Sequence, residues 1–241
     1  MCDPQVVLKR LEKGVLIALE GIDGAGKTTQ ARRLFEVLSG MGYDVVRTKE
    51  PTDGTWGRKL RESSKTGRLA PEQELELFLK DRREHVSQLI TPGLEAGRII
   101  LVDRYYFSTV AYQGARGLPT DNLLKANEAF APPPDVLFLL DISPEEAMRR
   151  IHQRGELGNL FEEESSLRAV AKVFAAMNFP YLERLNGMDP PEQVTRRMLD
   201  RLFGGVLSTR TLQDGAEVLP KGKDELSNDA VWAALGRVGK R

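Results

Sequence analysis

Cysteine and long hydrophobic segments are scarce in this chain of 241 residues. Cys2 is the single cysteine, which excludes a disulfide framework and makes a cytoplasmic protein the simplest expectation. No apolar run approaches the roughly 20 residues that a membrane-spanning helix needs. Residues 1–13 also lack the profile of a secretory signal, so we expect no association with membranes.

An excess of charge of either sign is also absent, because 35 acidic residues balance 35 basic ones. This balance gives no support to a surface for polyanions, and we therefore expect no nucleic-acid partner. Apolar residues make up 41% of the chain, which is ordinary for a globular protein. The length is sufficient for one sizeable domain with additional segments.

The most specific pattern is Gly21–Thr28, which matches the phosphate-binding loop G-x-x-x-x-G-K-[ST] at every fixed position. The apolar segment Val15–Leu19 precedes it as a predicted strand, and apolar residues at helical spacing follow it in Thr29–Leu38. Backbone N–H groups of such a loop, together with the helix N-terminus, bind phosphate oxygens. The residues expected to bind nucleotide phosphates are Gly21, Gly24, Ala25, Gly26, Lys27, Thr28 and Thr29.

Predicted strands and helices alternate along most of the chain. After the first strand, further strands are predicted at 43–48, 99–102, 136–140 and 181–185. The alternation predicts an α/β fold, a three-layer P-loop NTPase with a five-stranded parallel sheet flanked by helices. Ligands of such sheets bind beyond the carboxyl ends of the strands, where Asp23, Glu50, Asp103 and Asp141 fall.

The predicted organisation has three parts. Residues 1–13 form an N-terminal segment, and residues 14–203 form the P-loop domain with a lid at about 149–162. The glycine pair Gly204-Gly205 marks a boundary. Residues 204–241 are expected to be an extension that is partly ordered at best.

Four segments in this order resemble the thymidylate kinase family, over roughly residues 14–203. They are Glu20–Thr29, Lys49-Glu50-Pro51, Asp103-Arg104-Tyr105 with Ser108 and the run 111–114, and Arg154–Leu157. The resemblance implies Mg²⁺-dependent phosphoryl transfer from the co-substrate ATP to a nucleoside monophosphate, dTMP, giving dTDP and ADP. It also implies a homodimer.

A carboxylate at the end of the strand beside the phosphate loop is placed to organise a Mg²⁺ shell, so Asp103 and the Thr28 hydroxyl are the expected metal ligands. Asp103 could instead cap a helix or form a structural ion pair. Arg104 could clamp the acceptor phosphate through two hydrogen bonds, which agrees with its role in the family. The resemblance gives Asp23 a contact with the sugar 3′-hydroxyl and a part in catalysis, although a turn aspartate is the alternative.

The resemblance also implies an acceptor site. The matching residues are Glu50, Arg61, Phe78, Arg82, Ser108, Thr109, Tyr112 and Gln113, with Asp23 and Arg104. Phe78 and Arg82 share a helix face, where the family places base stacking and a bond to the base edge. Phe78 could otherwise belong to the core, and Arg61 could lie on a solvated helix face. Tyr112 leaves little room for a ribose 2′-hydroxyl, which favours deoxynucleotides.

The lid is where the chain departs from the family. Arg150 and Arg154 match the arginines that stabilise the transition state, with Lys27, Asp23 and Arg104 completing the expected catalytic set. The Asp-Arg pair that usually follows Arg-Gly-Glu-Leu is absent, and Arg149 is a reserve cation. Two other functions stay open: a kinase of the same fold for dUMP or UMP, and a nucleotide-binding interaction module that has lost turnover.

Overall fold

The structure, a computed structural model, describes residues 8–153 and 160–214. Its strands form one sheet in the order β2-β3-β1-β4-β5, and each neighbouring pair is parallel. The strands are β1 (Val15–Glu20), β2 (Val45–Lys49), β3 (Ile99–Asp103), β4 (Val136–Asp141) and β5 (Leu182–Asn186). The predicted α/β architecture with five parallel strands is confirmed.

Helices connect the strands and flank the sheet. They are α1 (Lys27–Gly40), α2 (Thr55–Thr66), α3 (Pro71–His85), α4 (Thr91–Glu95), α5 (Tyr106–Gly114), α6 (Thr120–Glu128), α7 (Pro144–Gln153), α8 (Leu160–Ala176) and α9 (Pro191–Arg201). The apolar spacing of residues 72–96 predicts one long helix, whereas the structure divides this segment into α3, a π-helical turn at Val86–Ile90, and α4. Within the described ranges, none of these helices has the length and apolar character needed to cross a membrane.

The centre of the sheet is the centre of the hydrophobic core. Every residue of β1 and of β3 is buried, because helices cover both faces of a parallel sheet. Burying each Val, Ile or Leu side chain contributes about 1.5–3 kcal/mol relative to leaving it exposed. The carboxyl ends of β1 and β3 are therefore rigid supports for the loops that follow them.

Residues beyond both predicted domain boundaries pack on this core. Leu11 pairs with Leu212 in an antiparallel bridge, and both side chains are buried. Leu207 is also buried. The described residues on either side of 14–203 thus contribute to the same core. The division of the chain into three parts stays a prediction. Residues 215–241 lie outside the described residues.

Candidate active site

The phosphate-binding loop connects the end of β1 to the start of α1. Gly24 adopts a φ of 83°, a left-handed conformation that favours glycine. A Cβ atom at Gly24 would lie 2.7 Å from the Ala147 carbonyl oxygen of α7. The glycine is required here for two reasons, the turn and the close approach of the helix that leads to the lid.

Lys27 is buried at the start of α1. Its ammonium group donates hydrogen bonds to the carbonyl oxygens of Gly21 at 2.9 Å and Ile22 at 2.8 Å. Burial lowers the pKa of Lys27 to about 7, and Arg104 lowers it further against the opposing effect of neighbouring carboxylates. A phosphate group beside Lys27 would favour the charged form of the ammonium.

Thr28 and Asp103 bring two oxygen ligands together. The Thr28 hydroxyl donates to Asp103 Oδ2 at 2.5 Å, joining the first turn of α1 to the end of β3. Oxygen ligands suit Mg²⁺, which in nucleotide sites is held by one or two carboxylates together with phosphates. The described residues contain no cluster of three His, Cys, Asp or Glu side chains that could hold a metal ion. The donor set therefore fits Mg²⁺ bound together with a nucleotide.

Arg104 and Asp23 face each other across the loop. Arg104 has a φ of 68°, which is uncommon for a residue other than glycine. Its guanidinium donates to Asp23 Oδ1 and to the Ser108 hydroxyl at 3.2 Å, and lies 5.3 Å from the centre of the Tyr112 ring. The Tyr112 hydroxyl donates to Asp23 Oδ2 at 2.8 Å. Asp23 is thus the common acceptor of two predicted site residues, rather than only a turn residue.

Glu20 is a site residue that the sequence interpretation included only as part of a motif. Its fully buried carboxylate accepts the backbone N–H groups of Tyr105 at 2.7 Å and Ser108 at 3.0 Å, and the Ser108 hydroxyl at 2.5 Å. Burial raises the pKa of Glu20 to about 6, although Ser108 and Tyr105 oppose the shift. Glu20 therefore fixes the start of α5, the helix that carries Ser108, Thr109, Tyr112 and Gln113.

Two adjoining cavities lie at the carboxyl edge of the sheet. The first, of about 500 Å³, is lined by Asp23, Gly24, Gly26, Lys27, Thr28, Thr29, Lys49, Glu50, Asp103 and Arg104. The second, of about 220 Å³, is lined by Asp23, Glu50, Pro51, Arg68, Phe78, Arg82, Arg104, Tyr105, Ser108, Thr109, Tyr112 and Gln113. Asp23, Glu50 and Arg104 belong to both, so these three residues form the wall between the phosphate loop and the second cavity.

Phe78 and Arg82 both line the second cavity, as their shared helix face predicts. Phe78 is only half-buried, which leaves its ring available to a ligand. Arg82 is 1% exposed and donates to Glu50 Oε2 at 2.7 Å, to Asn127 Oδ1 at 2.5 Å and to Thr109 Oγ1 at 3.2 Å. Its orientation is therefore fixed without any ligand.

Gln113 is held by a buried carboxylate. Its amide nitrogen donates to Glu74 Oε2 at 2.5 Å, and Arg116 donates to the same oxygen at 2.5 Å. The sequence interpretation missed both Glu74 and Asn127, the partner of Arg82. The sequence offers one signal for Glu74: it lies four residues before Phe78 in α3 and therefore on the same face of the helix.

Arg61 lies beside the cavities and holds the loop after β2. It donates to the carbonyl oxygens of Pro51 at 3.0 Å and Thr52 at 2.8 Å, and to Asp53 Oδ1 at 2.9 Å. Its role as a phosphate ligand stays a prediction. Trp56, between the ammonium groups of Lys59 and Lys80, packs on the surface of α2 and α3.

The helix that leads to the lid contacts the phosphate loop. Arg150 donates to Glu146 at 2.6 Å, to the Gly187 carbonyl at 3.0 Å and to the Gly24 carbonyl at 3.4 Å. Arg149 is exposed and pairs with Glu146 at 2.7 Å. Arg154 lies outside the described residues. Of the predicted lid arginines, Arg150 is thus beside the phosphate loop.

Comparisons with known proteins point to one family. The family model described as thymidylate kinase matches residues 19–194. A thymidylate kinase of Xanthomonas euvesicatoria is 47% identical over 218 residues, covering 87% of this chain and 96% of that protein. A thymidylate kinase of Xylella fastidiosa is 47% identical over 208 residues, covering 86% of this chain and 95% of that protein.

Proposed function

The chain belongs to the thymidylate kinase family, and on that premise we propose that it transfers the γ-phosphoryl group of ATP to dTMP, giving ADP and dTDP. The observation that carries this function is the pair of adjoining cavities with a common wall. A donor nucleotide at the phosphate loop and an acceptor in the second cavity would meet at Asp23, Glu50 and Arg104. Such a meeting point is what direct transfer between two bound nucleotides requires.

Charge neutralisation is the main task of the donor side. Lys27 and the N–H groups of the loop would stabilise negative charge that moves to the bridging and terminal oxygens of ATP. Binding of phosphate would draw the Lys27 ammonium away from the carbonyls of Gly21 and Ile22. Thr28 and Asp103 would hold Mg²⁺, which neutralises phosphate charge when it is bound with ATP.

Orientation is the main task of the acceptor side. Phe78 offers an aromatic face to a base, and Arg82 offers donors to a base oxygen such as O4 of thymine. Arg104 would bind the acceptor phosphate, and its contact with Asp23 already directs it to the common wall. Tyr112, held by the same Asp23, would lie against the sugar and disfavour a 2′-hydroxyl.

An assay of ADP release with a panel of monophosphates tests the function directly. We expect turnover with dTMP in the presence of ATP and Mg²⁺, with dUMP slower and UMP slowest. Turnover that is fastest with UMP would contradict the assignment of dTMP as the acceptor. Absence of ADP release with every monophosphate would contradict the kinase activity itself.

We also propose that the enzyme is a homodimer and acts in the cytoplasm. The family resemblance supports the homodimer, and the single cysteine supports the compartment. Light scattering on the purified chain measures its mass in solution. A mass near 27 kDa, that of one chain of 26.9 kDa, would contradict the homodimer.

A further inference from the structure

The last residue of α3, His85, is buried and has a partner at each ring nitrogen. Its Nδ1 lies 2.8 Å from Glu50 Oε1, and its Nε2 lies 2.8 Å from Thr48 Oγ1. The exposed fraction of His85 is 6%, so water does not compete for either contact. The imidazole therefore joins the helix of the second cavity to the end of β2.

Glu50 divides its two carboxylate oxygens between His85 and Arg82. Oε1 receives His85, and Oε2 receives Arg82 Nε at 2.7 Å. Burial alone would raise the pKa of Glu50, but the Arg82 guanidinium and His85 hold the pKa below its usual range. Glu50 is therefore ionised and can only accept hydrogen bonds.

The ionised state of Glu50 determines which nitrogen of His85 carries a proton. Since Oε1 has no proton to give, Nδ1 of His85 must be the donor in this contact. In the neutral ring, Nε2 then accepts the hydroxyl proton of Thr48. The imidazole thus links Thr48 of β2 to Glu50, and its contact with Glu50 is a hydrogen bond in which Nδ1 donates.

Arg82 takes part of its orientation from this arrangement, beside its contacts with Asn127 and Thr109. The terminal torsion of a glutamate side chain is broad, so a carboxylate with one partner can turn about that bond. Anchoring Oε1 to His85 stops the turn and leaves Oε2 as the single oxygen that meets Arg82. Arg82 lines the second cavity, whereas His85 contacts it only through Glu50.

We propose that His85 is a positioning residue for the acceptor, which orients Glu50 so that Arg82 presents its guanidinium to the acceptor base. This inference rests on the proposed function, because it takes the second cavity as the acceptor site. His85 does not touch the reacting atoms. Its loss should therefore weaken binding of the acceptor, while Lys27, Thr28 and Asp103 at the phosphate loop keep their contacts.

Two substitutions separate the contacts of the imidazole. The amide nitrogen of His85→Asn can occupy the place of Nδ1, which keeps a donor to Glu50 and removes the contact with Thr48. The amide of His85→Gln reaches the place of Nε2, which keeps the contact with Thr48 and removes the donor to Glu50. Each variant loses one of the two buried hydrogen bonds, so the pair is matched for the number of contacts that are lost.

Steady-state kinetics of the pair test the inference. We expect His85→Gln to raise KM for dTMP on the order of tenfold, because a buried carboxylate oxygen loses its donor. His85→Asn should stay near the wild-type KM, and both variants should keep KM for ATP. Equal KM values for dTMP in the two variants, or an equal rise in KM for ATP, would overturn the proposal.

A measurement on the wild-type chain keeps the test independent of how the variants fold. The chain has two histidines, so ¹⁵N NMR of the rings can be assigned with His152→Gln. A proton on Nδ1 of His85 supports the inference, and an Nδ1 without a proton overturns it. If wild-type enzyme fails to phosphorylate dTMP while Nδ1 carries a proton, the proposed function fails and the anchoring of Glu50 does not.

Discussion

The ammonium nitrogen of Lys27 lies 2.8 Å from the carbonyl oxygen of Ile22, a residue of the same phosphate-binding loop. The lysine side chain thus folds back towards its own loop, where its ammonium group donates to backbone carbonyl oxygens. A carbonyl oxygen is a weaker partner for an ammonium than a phosphate oxygen, because the phosphate oxygen carries a formal negative charge and the carbonyl oxygen carries only a partial one. Binding of ATP should therefore exchange one partner for the other.

Lys27→Ala should lower kcat on the order of a hundredfold or more, because it removes a preorganised and buried positive charge from the phosphate site. The fold should survive, since the described contacts of the ammonium are two backbone carbonyls. The measurement is steady-state turnover of dTMP beside thermal melting. Lys125→Ala, on the exposed face of α6, is the control, and near-normal turnover in Lys27→Ala would contradict the assignment of this loop.

Binding of ATP at pH 8 should take up about one proton at Lys27, because its pKa of about 7 leaves the free group mostly neutral there and the phosphates restore its charge. At pH 6 the ammonium is already protonated, so the uptake should vanish. Calorimetric titrations in buffers of different ionisation enthalpy count the protons. Lys27→Met is the control, and equal uptake in this variant would place the proton elsewhere.

The stability of the chain should depend on pH through Glu20. Its pKa is 4.5 in an unfolded chain and about 6 in the folded protein, so between these values the folded state binds more protons. The contribution of Glu20 to stability is therefore complete below pH 4.5 and is lost as the pH rises through 6. Across this interval, wild type should lose roughly 2 kcal/mol relative to Glu20→Gln, which does not titrate.

Urea unfolding of both proteins at pH 4.5, 6 and 7.5 measures this difference. The other titrating groups are common to both proteins and cancel in the comparison. Parallel curves of unfolding free energy against pH would show that the burial of Glu20 does not shift its pKa.

Tyr112→Ala should relax the rejection of ribose acceptors, because the ring lines the second cavity and would lie against the sugar of a bound acceptor. The ratio of kcat/KM for dUMP over UMP should fall by an amount equivalent to about 1–3 kcal/mol. Tyr112→Phe is the matched variant, since it keeps the ring and loses the hydrogen bond of 2.8 Å to Asp23. If Phe relaxes the selection as much as Ala does, the bond to Asp23 rather than the bulk of the ring excludes ribose.

Much of the fold was predictable because its signals are local. The apolar strands β1, β3 and β4 are short buried runs bounded by polar residues, and each ends within one residue of its predicted end. The helices α5 and α6, by contrast, were not predicted. α5 is buried on most of its surface, so its apolar residues, such as Phe107 and Val110, do not follow one face.

The residues of the candidate site also divide into those with a local sequence signal, which were predicted, and those without one, which were not. Lys27, Thr28 and Arg104 were predictable because they belong to motifs with fixed spacing. Glu74 and Asn127 were not, because they act on Gln113 and Arg82 over separations of 39 and 45 residues. Only the folded chain shows such pairs, since nothing in local spacing specifies which distant polar residue meets which.

Arg154 is the remaining cation with an expected role in the transition state. The phosphate loop carries Gly24 and Ala25 where an arginine could have bridged donor and acceptor, so a cation must come from elsewhere. Arg150 already donates to Glu146 and to two carbonyls, one of them in the phosphate loop. These contacts suit a residue that joins the lid helix to the loop, so we predict that Arg154 is the cation that acts on the transferring group.

Arg154→Ala should therefore lower kcat by orders of magnitude more than it weakens ATP binding, the signature of an interaction made mainly in the transition state. Arg149→Ala is the matched control, because Arg149 is exposed and its pair with Glu146 involves no residue of the loop. Single-turnover kinetics beside a direct titration with ATP separate the two quantities. An unchanged kcat in Arg154→Ala together with a loss in Arg149→Ala would move the catalytic cation to Arg149, five residues earlier in the lid.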